Sequence, residues 1–150
     1  MKLTVAWIGN TKQPAIRSLT GEYLKRLAHY AEVEGKGLKD EAALLALHGR
    51  SARSKIKTKA TLVLLDSGGK QFSSEELAKF LGDHRDRHPG PLLFAVGPAN
   101  GFSEEARQAA TLLLSLGRMT LAHELAQVVL LEQLYRAFTI LKGHPYHLGH

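Results

Sequence analysis

The sequence contains no cysteine, which excludes disulfide bonds and a cysteine nucleophile. It also contains no apolar run that approaches the ~20 residues a helix needs to cross a bilayer. Residues 1–5 enter a strand-like pattern at once and lack the long apolar region and cleavage site of a secretory signal peptide. These absences predict a cytoplasmic protein with no membrane partner.

Internal repeats, low-complexity tracts and linkers are absent as well. The 150 residues therefore predict one domain, spanning residues 1–150, with a core of ordinary size. Acidic residues are the scarcer charge, since 14 Asp and Glu stand against 20 Lys and Arg and leave a net charge of +6. A basic balance suits a polyanionic partner such as nucleic acid. Many small basic proteins bind no polyanion, so charge alone does not decide the partner.

One basic tract has no acidic residue within it. Its cations are Arg50, Arg53, Lys55, Lys57 and Lys59. A charge run this short is often a solvated helix face or loop, and its functional alternative is a patch that contacts RNA phosphates. Both interpretations stay open on the sequence.

Strand-like and helix-like patterns alternate along the chain. Strands are predicted at 3–8, 30–34, 61–65, 92–96 and, as a short one, 119–121; helices are predicted at 14–27, 40–47, 73–81, 103–113 and 124–142. This alternation predicts an α/β fold, a three-layer sandwich with a mostly parallel sheet. The apolar arc of the last helix is wide for a surface helix, which suggests burial on two sides and a dimer interface.

Several breaks between these elements carry local predictions. Residues 35–37 are expected to close the second strand, residues 67–70 to form a loop, and residues 84–89 to form a polar loop. The Gly68-Gly69-Lys70 sequence lacks the spacing of a phosphate-binding loop, so we reject that function for it. Asp40 and Ser103 are expected to cap helices, and Ser73 to form a capping box with the glutamate three residues later.

The C-terminal third is the expected location of a site. The strand at 92–96 ends at Gly97, and ligands of α/β proteins bind outside the carboxyl ends of the strands. The tail at 144–147 adds two histidines and a tyrosine, which are able to move protons. Gly97 is also compatible with an ordinary turn, and Arg136 with a helical ion pair to Glu132. The spacing of His144, His147 and His150 resembles a metal site only weakly, because no supporting ligands are visible.

Four segments together resemble a known family. Residues 96–103, 115–121 with His123, 132–137 and 144–147 resemble the ribosomal RNA large subunit methyltransferase H family of the SPOUT superfamily, and the likeness covers nearly the whole chain. The resemblance implies methylation of N3 of a pseudouridine in helix 69 of 23S rRNA, within the ribosome or large subunit, with S-adenosyl-L-methionine as methyl donor and no metal. It also implies a homodimer and a C-terminal trefoil knot, which the sequence itself cannot show.

The same resemblance implies roles for individual residues. Those implied to contact the cofactor are Leu65, Gly97, Leu116, Gly117, Arg118, Met119, Thr120 and Leu121. His147 is the implied proton acceptor or substrate-orienting group, and Tyr146 stacks on or hydrogen-bonds the base. From its residue type, and not from the resemblance, Arg136 is a candidate for holding an RNA phosphate or a carboxylate, with the helical ion pair to Glu132 as the open alternative.

Some positions depart from the family pattern. Pro98 and Asn100 alter the first loop, where an acidic residue is usual, and Gln127 stands where arginine is usual. Leu148 replaces a basic residue beside the expected substrate site. These departures leave an alternative of a different class, a non-catalytic RNA-binding or ribosome-associated protein that kept the fold.

Overall fold

The computed structural model describes residues 1–52, 60–88 and 90–148, so residues 53–59 of the basic tract and His150 lie outside the described residues. In chain order the elements are β1 (Lys2–Ile8), α1 (Pro14–Leu27), β2 (Glu32–Leu38), α2 (Glu41–Ala52), β3 (Thr61–Gln71), α3 (Ser74–Arg87), β4 (Leu92–Val96), α4 (Glu104–Ala109), β5 (Leu112–Ser115) and α5 (His123–Lys142). Among these described helices, none is long and apolar enough to span a membrane.

Five parallel strands form one sheet in the order β2-β1-β4-β3-β5. All five residues of β4 are buried, as expected for a parallel strand that is covered on both faces. Helices α1, α3 and α5 pack on one face around Phe94 and Leu131. On the other face, Leu44 of α2 and Ala106 of α4 pack against Leu64 and Ala95. The prediction of a three-layer α/β fold is confirmed.

Helix ends follow the capping residues that the sequence offers. The Ser73 hydroxyl accepts from the Glu76 amide at 3.0 Å, and the Glu76 carboxylate accepts from the Ser73 amide at 2.9 Å, which completes the predicted capping box of α3. Asp40 accepts from the amide of Ala43 at 2.9 Å at the start of α2. Helix α5 ends at Gly143, whose φ of 72° is left-handed.

The prediction that residues 35–37 close the second strand is wrong, because β2 continues through both glycines to Leu38. A Cβ at Gly35 would lie 2.5 Å from Cδ1 of Leu24, and one at Gly37 would lie 3.0 Å from Nε1 of Trp7. The glycines therefore mark close packing of side chains over an edge strand rather than a turn.

The predicted loop at 67–70 belongs to β3, which runs to Gln71. Its pairing with β5 shifts register, since both Leu65 and Lys70 lie opposite Leu114. A Cβ at Gly69 would lie 2.6 Å from the carbonyl carbon of Leu113, so only glycine fits this irregular, closely approaching strand. The apolar pattern that predicts the strand ends at Leu65, where the register shift begins, whereas β3 itself continues to Gln71.

The fifth strand lies earlier than predicted. Helix α4 has only six residues, Leu113 belongs to β5, and residues 119–121 lie in the connection to α5. The amide of Thr111 donates to the Leu62 carbonyl at 2.8 Å, and the amide of Leu62 donates to the Thr111 hydroxyl at 3.3 Å. Pairing with β3 at the sheet edge thus overrides the helical pattern of an alanine- and leucine-rich segment.

Residues 84–87, predicted as part of a polar loop, form the last turn of α3. His84 is buried, and its Nε2 lies 3.0 Å from the Gly90 carbonyl oxygen. Burial lowers the pKa of His84. The imidazole therefore joins the end of α3 to the start of β4, a tertiary contact that local composition does not reveal.

Candidate functional site

An open cleft of about 650 Å³ lies where β3, β4 and β5 give way to the chain segments that follow their apolar runs. It is lined by residues 65–67, 96–102, 107, 114–117, 119–123 and 126. Its volume is within the range of small-molecule sites. The cleft is therefore built at the edge of the sheet where the sequence predicted a site.

Most of the predicted cofactor residues come together in this cleft. The lining includes Leu65, Gly97, Leu116, Gly117, Met119, Thr120 and Leu121. Arg118, the remaining one, is an exposed member of the same loop and is not among the described lining residues. Sequence reasoning missed Asp66, Phe102 and Arg107, although Asp66 directly follows a predicted strand.

Glycines shape two walls of the cleft. A Cβ at Gly97 would lie 2.9 Å from Cε2 of Phe102, so the Phe102 ring packs directly on the backbone of the first loop. Gly117 has a φ of 148°. The Ser115 hydroxyl donates to the Gly117 carbonyl at 2.9 Å and accepts from its amide at 3.2 Å, which fixes the second loop.

The end of the first loop is tied to another layer of the fold. Ser103 caps α4 by accepting from the amide of Ala106 at 3.3 Å, as predicted. Its own amide donates to Oε1 of Glu41 at 2.7 Å, and its hydroxyl donates to Oε2 of the same carboxylate. Glu41, in the first turn of α2, thereby anchors the loop that carries Gly97.

The walls of the cleft combine apolar and polar groups, and among the described lining residues Arg107 and Asp66 form an ion pair. Nη2 of Arg107 lies 3.2 Å from Oδ2 of Asp66, whose side chain is 19% exposed. A cleft of mixed apolar and polar lining with one charged corner suits a nucleoside-like ligand that has a zwitterionic end. It offers no cluster of phosphate-binding cations among the described lining residues.

A second group of residues lies at the other end of α5, where the tail docks on α5 and α3. Glu132 accepts from Nε and Nη2 of Arg136 at 3.0 and 2.7 Å and from the Tyr146 hydroxyl at 3.1 Å. Nη1 of Arg136 lies 3.0 Å from Nδ1 of His147, and Nε2 of His147 lies 2.8 Å from Oε1 of Glu75. We call these five residues the tail network. It unites the three predicted catalytic residues and contains the helical Glu132–Arg136 ion pair.

Aromatic rings enclose one side of the tail network. The Tyr146 ring lies edge-on to the Tyr135 ring, with the two ring centroids 4.8 Å apart. The Arg136 guanidinium lies 4.9 Å from the centroid of the Tyr146 ring. Burial, reinforced by the Glu132 charge, raises the pKa of Tyr146 to about 12. The hydrogen bond from His147 is the main cause that lowers the pKa of Glu75. Near neutral pH, Tyr146 is therefore a neutral donor and Glu75 an anionic acceptor.

Arg136, Tyr146 and His147 do not line the cleft of the chain as described. Ala126 is a lining residue, and Arg136 follows it by ten positions on α5, a distance of about 15 Å along the helix axis. In-line transfer requires reacting atoms about 3 Å apart. With the tail docked as observed, one chain does not bring the tail network and the cleft together.

Two other predicted features have a clear setting. Gln127 is buried, and its amide nitrogen donates to the Thr20 hydroxyl at 2.9 Å and the Thr11 hydroxyl at 3.3 Å, so a neutral side chain fits this position. Within the described ranges, no group of three or more His, Asp or Glu residues is placed to hold a metal ion. The spacing of His144 and His147 with His150 falls partly outside those ranges.

Comparison with known proteins gives consistent results. The family described as "Predicted SPOUT methyltransferase" matches residues 1–147. The chain is 58% identical over 150 residues to a ribosomal RNA large subunit methyltransferase H of Koribacter versatilis (strain Ellin345), with both chains fully covered. It is 42% identical to a protein of the same name from Geotalea daltonii, covering 98% of this chain and 99% of that one.

Solved structures agree in fold. The SpoU methyltransferase AviRb from Streptomyces viridochromogenes, crystallised in complex with AdoMet, superposes with a TM-score of 0.57 at 16% identity. The match covers 90% of this chain and 57% of that one. A probable methylase family protein from Haemophilus influenzae gives a TM-score of 0.58 at 11% identity, covering 96% and 69%. At these identities the likeness concerns the fold alone.

Proposed function

The chain belongs to the SPOUT methyltransferase family, and on that premise we propose that it methylates N3 of a pseudouridine in helix 69 of 23S rRNA. The observation that carries the proposal is the cleft, where seven of the eight expected cofactor residues meet beyond the apolar runs of β3, β4 and β5. The relatives named above carry the name of large subunit rRNA methyltransferases and match this chain over nearly their whole length. Their name supports rRNA as the substrate class.

The cofactor S-adenosyl-L-methionine fits the donor set of the cleft. The apolar side chains of Leu65, Leu116 and Leu121 provide walls for an adenine, and the loop backbone from 116 to 121 provides groups to read its edges. Asp66 and Arg107 provide opposite charges for an amino-acid end. When bound, this cofactor supplies an electrophilic methyl group on a sulfonium.

The tail network supplies the proton chemistry in this proposal. N3 of the base must lose a proton before it becomes a nucleophile, and His147 is the residue that takes this proton. A positioned general base contributes about a hundredfold to ten-thousandfold. Tyr146, which stays neutral, donates a hydrogen bond to or stacks on the base, and Arg136 holds a negative or carbonyl oxygen.

The distance between the tail network and the cleft supports a homodimer in which the docked tail of one copy faces the cleft of the other. Large apolar side chains are exposed on α1, on α5 and in the loop before α5: Leu19 43%, Met119 86%, Leu121 39% and Leu125 52%. A second copy that covers them would bury apolar surface and complete the site. Light scattering is expected to give twice 16.4 kDa; a mass of 16.4 kDa at all concentrations would contradict the dimer.

The remaining features follow from the same proposal. The protein acts in the cytoplasm, on ribosomes or large subunits, as a single domain over residues 1–150 with a trefoil knot in its C-terminal region. The competing candidate, a non-catalytic RNA-binding protein, is favoured by Leu148, an 83% exposed leucine where a basic residue is usual.

Two measurements separate these candidates. Calorimetric titration with S-adenosyl-L-methionine is expected to show one binding site per functional cleft. Mass spectrometry is expected to show that rRNA from a deletion strain lacks one methylated pseudouridine. Absence of cofactor binding together with unchanged rRNA methylation would favour the non-catalytic protein.

A further inference from the structure

His147 lies between two groups whose hydrogen-bonding roles are fixed by their chemistry. The guanidinium of Arg136, 3.0 Å from Nδ1, can only donate. The carboxylate of Glu75, 2.8 Å from Nε2 and with a lowered pKa, can only accept when ionised. The contact to Arg136 therefore requires a lone pair on Nδ1, and the contact to Glu75 requires a proton on Nε2. In this arrangement His147 is the neutral Nε2–H tautomer.

We propose that Glu75 is a positioning residue that makes Nδ1 of His147 the nitrogen that accepts the substrate proton, a role that rests on the proposed methyl transfer. Which nitrogen of a histidine is basic is set by the hydrogen bond that the other nitrogen makes. Glu75 lies in the first turn of α3, 72 positions from His147 along the chain, so the fold and not the tail determines the tautomer.

Glu75 also matters for the charge balance of the reaction. Nδ1 has one lone pair, which accepts from Nη1 of Arg136 in the free protein, so the entering base must displace Nη1 from Nδ1. The N3–H bond of the base then breaks and an Nδ1–H bond forms; the N3 electron pair forms the bond to the methyl carbon, while the sulfur keeps the electrons of the bond that breaks. His147 then carries a positive charge beside the Arg136 guanidinium. Glu75 on the opposite edge of the ring stabilises that charge, and Glu132 neutralises Arg136.

The charged and titratable groups around the ring come from three elements. Among the described residues they include Glu75 from α3, Arg136 and its partner Glu132 from α5, and Tyr146, which donates to Glu132, from the tail. The Glu75 carboxylate accepts a hydrogen bond directly from the His147 ring. Its removal therefore disfavours the protonated ring more directly than removal of Glu132, whose charge acts through Arg136.

The same geometry names the chemical class of base that fits. Nε and Nη2 of Arg136 are held by Glu132, which leaves Nη1 beside Nδ1. Nη1 and Nδ1 are hydrogen-bonded to each other in the free protein, and a base that enters between them meets a donor and an acceptor side by side. An imide edge, an N–H flanked by carbonyl oxygens, offers the complementary donor and acceptor, as in uracil and pseudouracil. N3 of cytosine is an acceptor and does not match.

Two substitutions separate orientation from charge. Glu75→Gln keeps an oxygen that can accept from Nε2–H but removes the negative charge, whereas Glu75→Ala removes both. Glu105→Gln is the matched control, because Glu105 occupies the same second position of α4, after the Ser103 cap, and is exposed. The control separates removal of a first-turn carboxylate from removal of the hydrogen bond to His147.

Nitrogen NMR of ¹⁵N-histidine-labelled protein tests the tautomer without RNA, with the His147 signals identified by their loss in His147→Ala. The wild type and Glu75→Gln are expected to show the Nε2–H tautomer, and Glu75→Ala a mixture. Glu105→Gln is expected to leave the tautomer unchanged. An Nδ1–H tautomer in the wild type, or an unchanged tautomer in Glu75→Ala, would overturn the proposal.

Methyl transfer to ribosomes tests the charge. Glu75→Gln is expected to lower the rate about tenfold, a part of what a positioned base contributes, and to move the acidic limb of the pH–rate profile to lower pH. Cofactor binding is expected to stay the same. A rate that falls equally at every pH would assign Glu75 a purely structural role and overturn the proposal. A wild-type protein with the expected tautomer but no transfer would overturn the proposed function and leave the tautomer assignment standing.

Discussion

The cleft and the tail network both take most of their residues from the C-terminal third of the chain, but they are built from different chemical groups. Glycines and backbone loops shape the cleft; the Phe102 ring packs within the first of those loops, and Glu41 anchors that loop from α2. The tail network consists of ionised and polar side chains that converge on Glu132 and His147. The cleft is suited to binding by shape, and the tail network is suited to moving a proton.

This difference predicts separable effects of mutation. A change in the tail network alters hydrogen bonds near the surface and leaves the sheet intact, so at neutral pH chemistry changes while binding and stability do not. A change in the cleft alters close packing next to β4, so binding and stability change together. The comparison fails if variants of either region give the same pattern of defects.

His147→Ala is expected to give the largest effect, a fall in methyl transfer of at least about a hundredfold, since this is the lower end for loss of a general base. His147 follows the last helix, so thermal stability and cofactor binding are expected to stay the same. The assay is methyl transfer to ribosomes, with calorimetry and thermal melting alongside. The control is His29→Ala, at an exposed position outside the tail network. Transfer at nearly the wild-type rate would place the base elsewhere.

Gly97→Val tests the cleft and is expected to weaken cofactor binding by about tenfold or more, equivalent to about 1.4 kcal/mol. The new side chain would meet the Phe102 ring, whose atoms lie 2.9–3.1 Å from the position that a Cβ would occupy, and would push that ring into the cleft. Overpacking is expected to cost about 1–3 kcal/mol of stability.

Gly21→Ala is the matched control for this variant. A Cβ at Gly21 on α1 has no atom within 4 Å, so the change should leave cofactor binding intact. It should stabilise the helix by about 0.5–1 kcal/mol. Normal cofactor binding by Gly97→Val, measured by calorimetry, would show that the first loop does not shape the binding site.

The comparison between the two regions also explains how much the sequence could reveal. The strand and turn at 92–97 and the helix at 124–142 are predictable because burial on both faces and a long apolar period are local signals. β5 escapes prediction because four residues carry little periodicity and its pairing partner is β3. The irregular end of β3 escapes for a similar reason, since Gly69 is required by a neighbouring strand.

The two candidate regions differ in the same way. The cleft follows from a general rule about strand ends, so its location is predictable from the sequence. Glu75 is predictable only as part of a helix start, because its contact to His147 spans 72 positions and depends on how α3 packs against α5. The separation of the tail from the cleft also could not be predicted, since the sequence alone does not give the distance between them.

Glu132→Gln sharpens the comparison with a smaller effect, on the pKa of Tyr146. Burial is the larger cause of the pKa of about 12 for Tyr146, and the Glu132 charge is the next. In the variant, the pKa of Tyr146 is therefore expected to lie below about 12 but above the ordinary 10.0. Absorbance of tyrosinate, taken as the difference between Glu132→Gln and the same variant with Tyr146→Phe, measures this. Glu22→Gln, which breaks the equivalent helical pair with Arg26, is the control.

The sign of the accompanying stability change follows from the raised pKa. The folded protein holds the Tyr146 proton more tightly than the unfolded chain does, so this group's contribution is fully present below about pH 10 and is lost as the pH rises towards 12. In Glu132→Gln, the pH range over which this stability is lost should end at a pH below about 12. An unchanged titration curve would mean that Glu132 does not act on Tyr146 in solution.

The smallest effect is expected outside both regions, in the basic tract, whose residues 53–59 lie beyond the described part of the chain. Replacing Arg53, Lys55 and Lys57 by glutamine should weaken RNA binding and flatten its dependence on salt, by about 0.7 in the logarithmic slope for each phosphate of single-stranded RNA that is no longer neutralised. A charge-retaining variant, with Arg53→Lys, Lys55→Arg and Lys57→Arg, should keep the wild-type slope. Because phosphate contacts position a protein without reading sequence, the methylated nucleotide should stay the same in both variants. A slope that does not change in the glutamine variant would assign the tract to a solvated surface, and the tail network and cleft would then have to supply the RNA affinity themselves.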